Sequence, residues 1–285
     1  MCNLDSHPVT IPREKSEEAA RWINEYSVSL FREHVPYGSG TLVCIGGLCG
    51  ILTAHHVSDP ALRVRGAGEE ALTVVFAEQV HRFDIPLHTD SFKRRYDEVV
   101  VGAYHESHDS QGPDLAFIHL FDPSKLAILK SKKLFYSLDQ AKVQSVRNLP
   151  YRQKPWWIWG APAERHSIQR PSEVGEFLAR VHHFCGQATF VDERSSGCFD
   201  YIRLKIDSGR NAFPADCKGM SGGGAWLARP IFDPQVGIAS LNFKPPILAG
   251  VAFYESDVQN CSRTITCHGP ASLYEALYHA IQRST

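Results

Sequence analysis

The chain has 285 residues, enough for one large domain or two small ones that bury a core without staples. Hydrophobic residues make up 43% and charged residues 21%, ordinary globular values, and no run of about 18 apolar residues is present to span a membrane. The formal charge of −1 excludes the strong basic excess of a general nucleic-acid-binding surface, leaving small peptides or proteins as the expected partners.

The opening residues, MCNLDSHPVTIPREK, lack the basic-then-apolar pattern of a secretion signal, which predicts a soluble, cytoplasmic protein. Cys2, Cys44, Cys49, Cys185, Cys198, Cys217, Cys261 and Cys267 are spread along the chain rather than packed into a small framework. In a reducing compartment they are expected to be mostly buried thiols; disulfides are the alternative if a mature secreted form has lost its signal.

Residues 16–35, SEEAARWINEYSVSLFREHV, place Ala19, Trp22, Ile23, Tyr26, Leu30 and Phe31 near helical spacing, with Ser16 as N-cap and Pro36 as terminator. This predicts one amphipathic helix and an N-terminal extension over 1–36. The texture then changes to short β-branched and aromatic runs, GTLVCIGGLCGILTAHHV, ALTVVFAEQVHRFDI, DEVVVGAYHE and PDLAFIHLF, separated by turn residues. Such spacing reads as a β barrel or sandwich over 37–130. The charged stretch at 123–154 is a connection with a solvated face. Strand-like runs resume in PWWIWGAP, GEFLARVHHFCGQATFVD, FDYIRLKID, GGAWLA, QVGIASLNF and ILAGVAFYE, a second β unit over 131–285. The chain ends in SLYEALYHAIQRS, where Ser272 and Glu275 match a capping box and Leu273, Leu277 and Ile281 form an apolar stripe. The prediction is an all-β chain of two units bracketed by helices.

The stretch DCKGMSGGGAW at 216–226 sets one serine between Gly-Met and three glycines. A plain loop is one reading; a tight turn that presents Ser221 beside converging N–H groups is the other. A serine nucleophile needs a base and the base needs an orienting partner. Among 14 histidines, only His55 and His56 in CGILTAHHVSD stand where an apolar strand meets a polar turn. In QGPDLAFIHL, Asp114 follows a Gly-Pro turn and opens an apolar strand, where a partly buried carboxylate wants a donor such as an imidazole N–H.

These blocks, in the order His, Asp, Ser, resemble the chymotrypsin-like (trypsin-like) serine peptidases. LTAHHV resembles the family's Thr-Ala-Ala-His block and assigns the base to His56. PDLAFIHL assigns Asp114, and KGMSGGG resembles the Gly-Xaa-Ser-Gly-Gly block, with Ser221 as nucleophile and the N–H groups of Gly219 and Ser221 as oxyanion hole. VGIASLNF resembles the strand lining the substrate cleft, which implies substrate contacts at Ser240, Leu241 and Asn242. LAGVAF places Gly250 on the pocket wall. The match covers most of residues 37–270.

The resemblance implies two six-stranded antiparallel β-barrels with the site between them, a C-terminal helix on the second, and no cofactor or metal. It implies acyl transfer from a peptide or protein substrate to Ser221 and then hydrolysis. Met220 stands where secreted members carry an aspartate for a newly cut N-terminus, and Val57 where they carry a half-cystine. The first departure argues against activation by a newly cut N-terminus, and the second favours an intracellular type. The pocket base falls on Ala215 and Asp216: an inward Asp216 would favour basic side chains, and an outward one would leave an apolar pocket. One dedicated effector protein as substrate is a further expectation. A catalytically silent binding or scaffold protein of the same shape is the rival. The mixed Cys/His stretches HHFC at 182–185 and CSRTITCH at 261–268 lack the paired spacing of a zinc site. Trp156, Trp157 and Trp159 read as strand core rather than a stacking platform.

Overall fold

Gly46 and Gly47, with φ of 55° and 91°, form a two-residue turn that sets the first hairpin. It joins β2 (Val35–Ile45) to β3 (Leu48–Thr53), so that Ile45 faces Leu48 and Cys44 faces Cys49. The computed structural model describes residues 11–32, 35–58, 71–76, 81–86, 98–102, 112–120, 122–138, 146, 154–165, 167–169, 178–180, 182–207, 214, 216–231, 242–256 and 262–284.

Residues expected to form one long helix instead form a helix and a strand. α1 spans Arg13–Asn24, and after the turn at Glu25 and Tyr26 the chain enters β1 (Ser27–Arg32), which pairs antiparallel with β2. Val28 and Leu30 alternate with the buried Ser27 and Ser29, a period-two pattern hidden inside a roughly helical one. The extension therefore ends before residue 27, not at 36. Ala19 and Ile23 of α1 lie in the same apolar cluster as the second unit's Trp156, Trp226 and Leu248.

β4 (Ala71–Phe76), β5 (His81–Pro86), β6 (Glu98–Gly102) and β7 (Leu115–His119) complete the first sheet in the order β5-β4-β1-β2-β3-β7-β6. A short β8 (Tyr136–Ser137) adds to β2 in parallel. This is an eight-stranded sheet, open among the described residues, where a six-stranded barrel ending at residue 130 was expected. The connection contains α3 (Pro123–Lys130), after the short α2 (His55–Ser58). The Asp122 carboxylate caps α3 by accepting from the Ser124 N–H at 2.9 Å, with Pro123 in the first turn.

The second unit is a closed barrel of six antiparallel strands, as predicted: β9 (Trp156–Gly160), β12 (Phe184–Ser196), β13 (Phe199–Asp207), β14 (Gly224–Ile231), β15 (Asn242–Glu255) and β16 (Ser262–His268). β10 (Ser167–Gln169) and β11 (Leu178–Arg180) form a separate two-stranded ribbon. Trp156, Trp157 and Trp159 are fully buried core. A π turn over Ser272–Ala276 leads into α4 (Leu277–Ser284), and Leu273, Leu277 and Ile281 bury the expected stripe. Ser272 makes no capping box with Glu275; its hydroxyl and N–H bind Asp200 instead, at 2.9 and 2.6 Å.

β2 and β3 of the first sheet are buried on both faces. Leu42 and Ile51 point into its own core, while Val43, Ile45 and Leu52, one residue out of phase, join the second unit's cluster. Tyr201 and Phe253 reach the other way. Among the described residues, no helix is long and apolar enough to cross a membrane.

Candidate active site

The register of β3 against β7 explains why two residues 58 apart in sequence meet. Thr53 faces Ala116, so the chain leaving β3 into α2 runs beside the chain entering β7. His56 Nδ1 lies 2.5 Å from Asp114 Oδ2, and the His56 N–H donates to Asp114 Oδ1 at 2.9 Å. The carboxylate side chain is 1% exposed and the imidazole 24%, so a buried anion is matched to a ring that still reaches solvent. His55 is buried. Gly112 brings the Asp114 turn against the second barrel: with φ of +66° it seats on the Tyr201 ring, and a Cβ there would lie 2.6 Å from that ring.

Ser221 is partly exposed at the head of β14, and its turn is clamped to the first sheet. The Ser39 N–H donates to the Ser221 carbonyl at 2.7 Å, and the Ser39 hydroxyl donates to the Gly219 carbonyl at 2.7 Å while accepting from the Ala161 N–H at 2.9 Å. Gly222, at φ +85°, rests on the Ser39 carbonyl and the Thr53 hydroxyl; a Cβ would come within 2.1 Å of both. The serine turn therefore touches the strand that leads into His56. Met220 packs against Gly160 in the core.

The peptide planes of the turn are fixed from behind. The Lys218 carbonyl accepts from the Ala163 N–H at 2.8 Å and the Met220 carbonyl from the Gly223 N–H at 2.9 Å. Because C=O and N–H of a trans peptide point in opposite directions, these bonds aim the N–H groups of Gly219 and Ser221 away from those partners. Gly219 adopts φ +87° to do this.

The expected substrate-binding residues fare differently. The Asp216 carboxylate accepts from the Lys218 N–H at 2.9 Å and lies 3.5 Å from Lys218 Nζ, with its side chain 46% exposed; this is the outward orientation. Asn242 stands opposite Ile231, about 23 Å along the strand from Gly224, and accepts from Lys15 of α1 at 3.0 Å. It is remote from Ser221, which removes it from a shared substrate site. Gly250 is buried opposite Ala225, close against the His268 carbonyl. Ala215, Ser240 and Leu241 lie outside the described residues.

The serine turn meets the opposite end of that same strand, β15: the Gly222 N–H donates to the Ala252 carbonyl at 2.7 Å, and the Ala252 N–H to the Gly223 carbonyl at 2.9 Å. Ala252 is therefore bonded to the two residues that follow Ser221. Sequence reasoning also missed Ser39, for which no motif speaks, and His268, which was weighed only as a metal ligand. His268 is fully buried, and burial lowers its pKa to about 4. Among the described residues, no group of three His, Cys, Asp or Glu side chains is placed to hold a metal. Cys44 and Cys49 are joined in a disulfide, while Cys185, Cys198, Cys217 and Cys267 are free thiols. The expectation of thiols thus fails at one pair, and Cys2 and Cys261 lie outside the described residues. The chain matches no family model, and no curated protein matches it.

Proposed function

We propose that the chain is a serine endopeptidase of the chymotrypsin-like type, with Ser221 as nucleophile, His56 as base and Asp114 as orienting carboxylate. The observation that carries this reading is the convergence just described. A buried Asp114 binds His56 through both carboxylate oxygens, and the turn holding Ser221 is bonded to Ser39 and packed through Gly222 against Ser39 and Thr53, on the strands that lead to His56. Two antiparallel β units with the constellation at their seam suit the same reading.

In this mechanism Asp114 holds the proton on Nδ1 of His56, so Nε2 takes the Ser221 hydroxyl proton as the oxygen attacks the peptide carbonyl. The Gly219 and Ser221 N–H groups receive the oxyanion. The protonated imidazole returns its proton to the leaving amine, and water activated by the same base hydrolyses the acyl-enzyme. Substrates are peptides or proteins. An outward Asp216 argues for an apolar rather than a basic side chain before the cut bond.

Covalent labelling with a fluorophosphonate tests the reading. Wild type is expected to label, Ser221→Ala to fail, and His56→Ala to label at least about a hundredfold more slowly. A wild type that does not label overturns the proposal and favours the binding-scaffold alternative.

A further inference from the structure

Among the buried titratable groups without a task in the mechanism, one touches Asp114. We propose that His268, on the last strand of the second barrel, is a positioning residue that locks the Asp114 backbone so that its carboxylate holds His56; this rests on the peptidase reading above. The Asp114 N–H donates to His268 Nε2 at 3.0 Å. A backbone amide can only donate, so Nε2 must be the unprotonated nitrogen and the ring proton must sit on Nδ1. That nitrogen faces the Ser272 hydroxyl at 3.4 Å. Ser272 is in turn anchored on Asp200, accepting from its N–H at 3.0 Å and donating to its carboxylate at 2.9 Å.

The surroundings hold the ring in this tautomer. Phe253, Tyr201 and Phe199 enclose it, with ring centroids 4.9, 5.1 and 5.6 Å away. The imidazole is fully buried, and Asp114 and Asp200 are the charged groups of the chain Asp114–His268–Ser272–Asp200. Asp114 is thus gripped twice: the first unit's His56 binds its carboxylate, and the second barrel binds its backbone. A protonated His268 would set N–H against N–H and abolish the second grip. The carboxylate of one unit is therefore aimed by a polar chain rooted at the C-terminal helix of the other.

Three measurements test this on the full chain. In wild type, ¹⁵N chemical shifts of the histidines should show His268 neutral with its proton on Nδ1; protonation at Nε2 would overturn the proposal without any variant. His268→Gln can keep an acceptor for the Asp114 N–H, whereas His268→Leu cannot. The Leu variant should label with fluorophosphonate about tenfold more slowly, and the Gln variant within about threefold of wild type. In parallel, the downfield proton of the His56–Asp114 hydrogen bond should persist in the Gln variant and shift upfield or vanish in the Leu variant. A Leu variant indistinguishable from wild type, or a Gln variant as impaired as Leu, would sink the idea. A wild type that shows the downfield proton yet never labels would instead overturn the peptidase reading, leaving the proton resonance of the two variants to decide the role of His268.

Discussion

Ser39 and Ser221 are bonded backbone to backbone at 2.7 Å, although 182 positions separate them, and the Ser39 hydroxyl simultaneously holds the carbonyl of Gly219. One residue of the first sheet thus supports the serine turn at two points. Ser39→Ala removes the Gly219 contact and leaves the Ala161 N–H without its acceptor in a buried place. We expect a loss of about 2 kcal/mol in chemical denaturation and about a tenfold slower fluorophosphonate labelling. Full labelling at reduced stability would show that the backbone bond alone fixes the turn.

Gly222 tolerates no side chain. Alanine there would hold φ near +85° and drive its Cβ into the Ser39 carbonyl and the Thr53 hydroxyl, both at 2.1 Å. The expected cost is on the order of 3 kcal/mol, with loss of labelling in whatever remains folded. Gly47→Ala, at a positive-φ turn where a Cβ would meet nothing within 4 Å, separates the two causes. It carries the conformational cost of about 1 kcal/mol without the clash, and should label normally.

Acid should destabilise the protein through His268. Its ordinary pKa of 6.5 falls to about 4 in the folded state because burial disfavours the charged ring. The unfolded chain therefore binds the proton more readily than the folded one between those values, and stability is lost as pH falls from 6.5 to about 4. The full effect is about 3 kcal/mol. Thermal unfolding followed over this range should show the decline in wild type and a shallower one in His268→Gln; parallel curves would assign the acid loss to other groups.

Reducing the Cys44–Cys49 disulfide should lower stability modestly. It closes a loop of only six residues, and the strands it joins are already paired through the two-glycine turn. The chain-entropy estimate for so short a loop is about 2 kcal/mol. Cys49 lies four residues along β3 from Thr53, about 13 Å, so labelling at Ser221 should be unchanged by reductant. Loss of labelling on reduction would reveal an unexpected coupling between the hairpin tip and the site.

The sequence made the β texture legible because alternating runs and turn residues are local signals, and it brought forward His56, Asp114 and Ser221 because each stands at a strand end. Errors arose where two periodicities overlap or where distance in sequence must be judged. SVSLFR satisfied a loose helical spacing and a strict strand alternation, and pairing with β2 and β4 decided for the strand. The start of α3 was visible as Asp122-Pro123 but was masked by the charge run after it. The SLNF block was placed beside Ser221 because the length of the β14–β15 hairpin cannot be counted from sequence. Ser272 followed by Glu275 looked like a cap, yet the carboxylate of Asp200 reaches Ser272 from β13. Long-range partners of this kind, like Ser39 and His268, leave no local pattern.

The chain passes from α1, packed in the second unit's cluster, into β1 of the first sheet, and later from that sheet to β9. The segment that builds the first sheet consequently carries with it a helix whose Ala19 and Ile23 plug the other unit's core. Severing the later crossing would free neither half, since the earlier one still acts as a tether that is also a packing element. The molecule has the construction of a split protein ready to be made as two pieces, in which reassembly across the seam and assembly of the His56, Asp114 and Ser221 constellation are the same event.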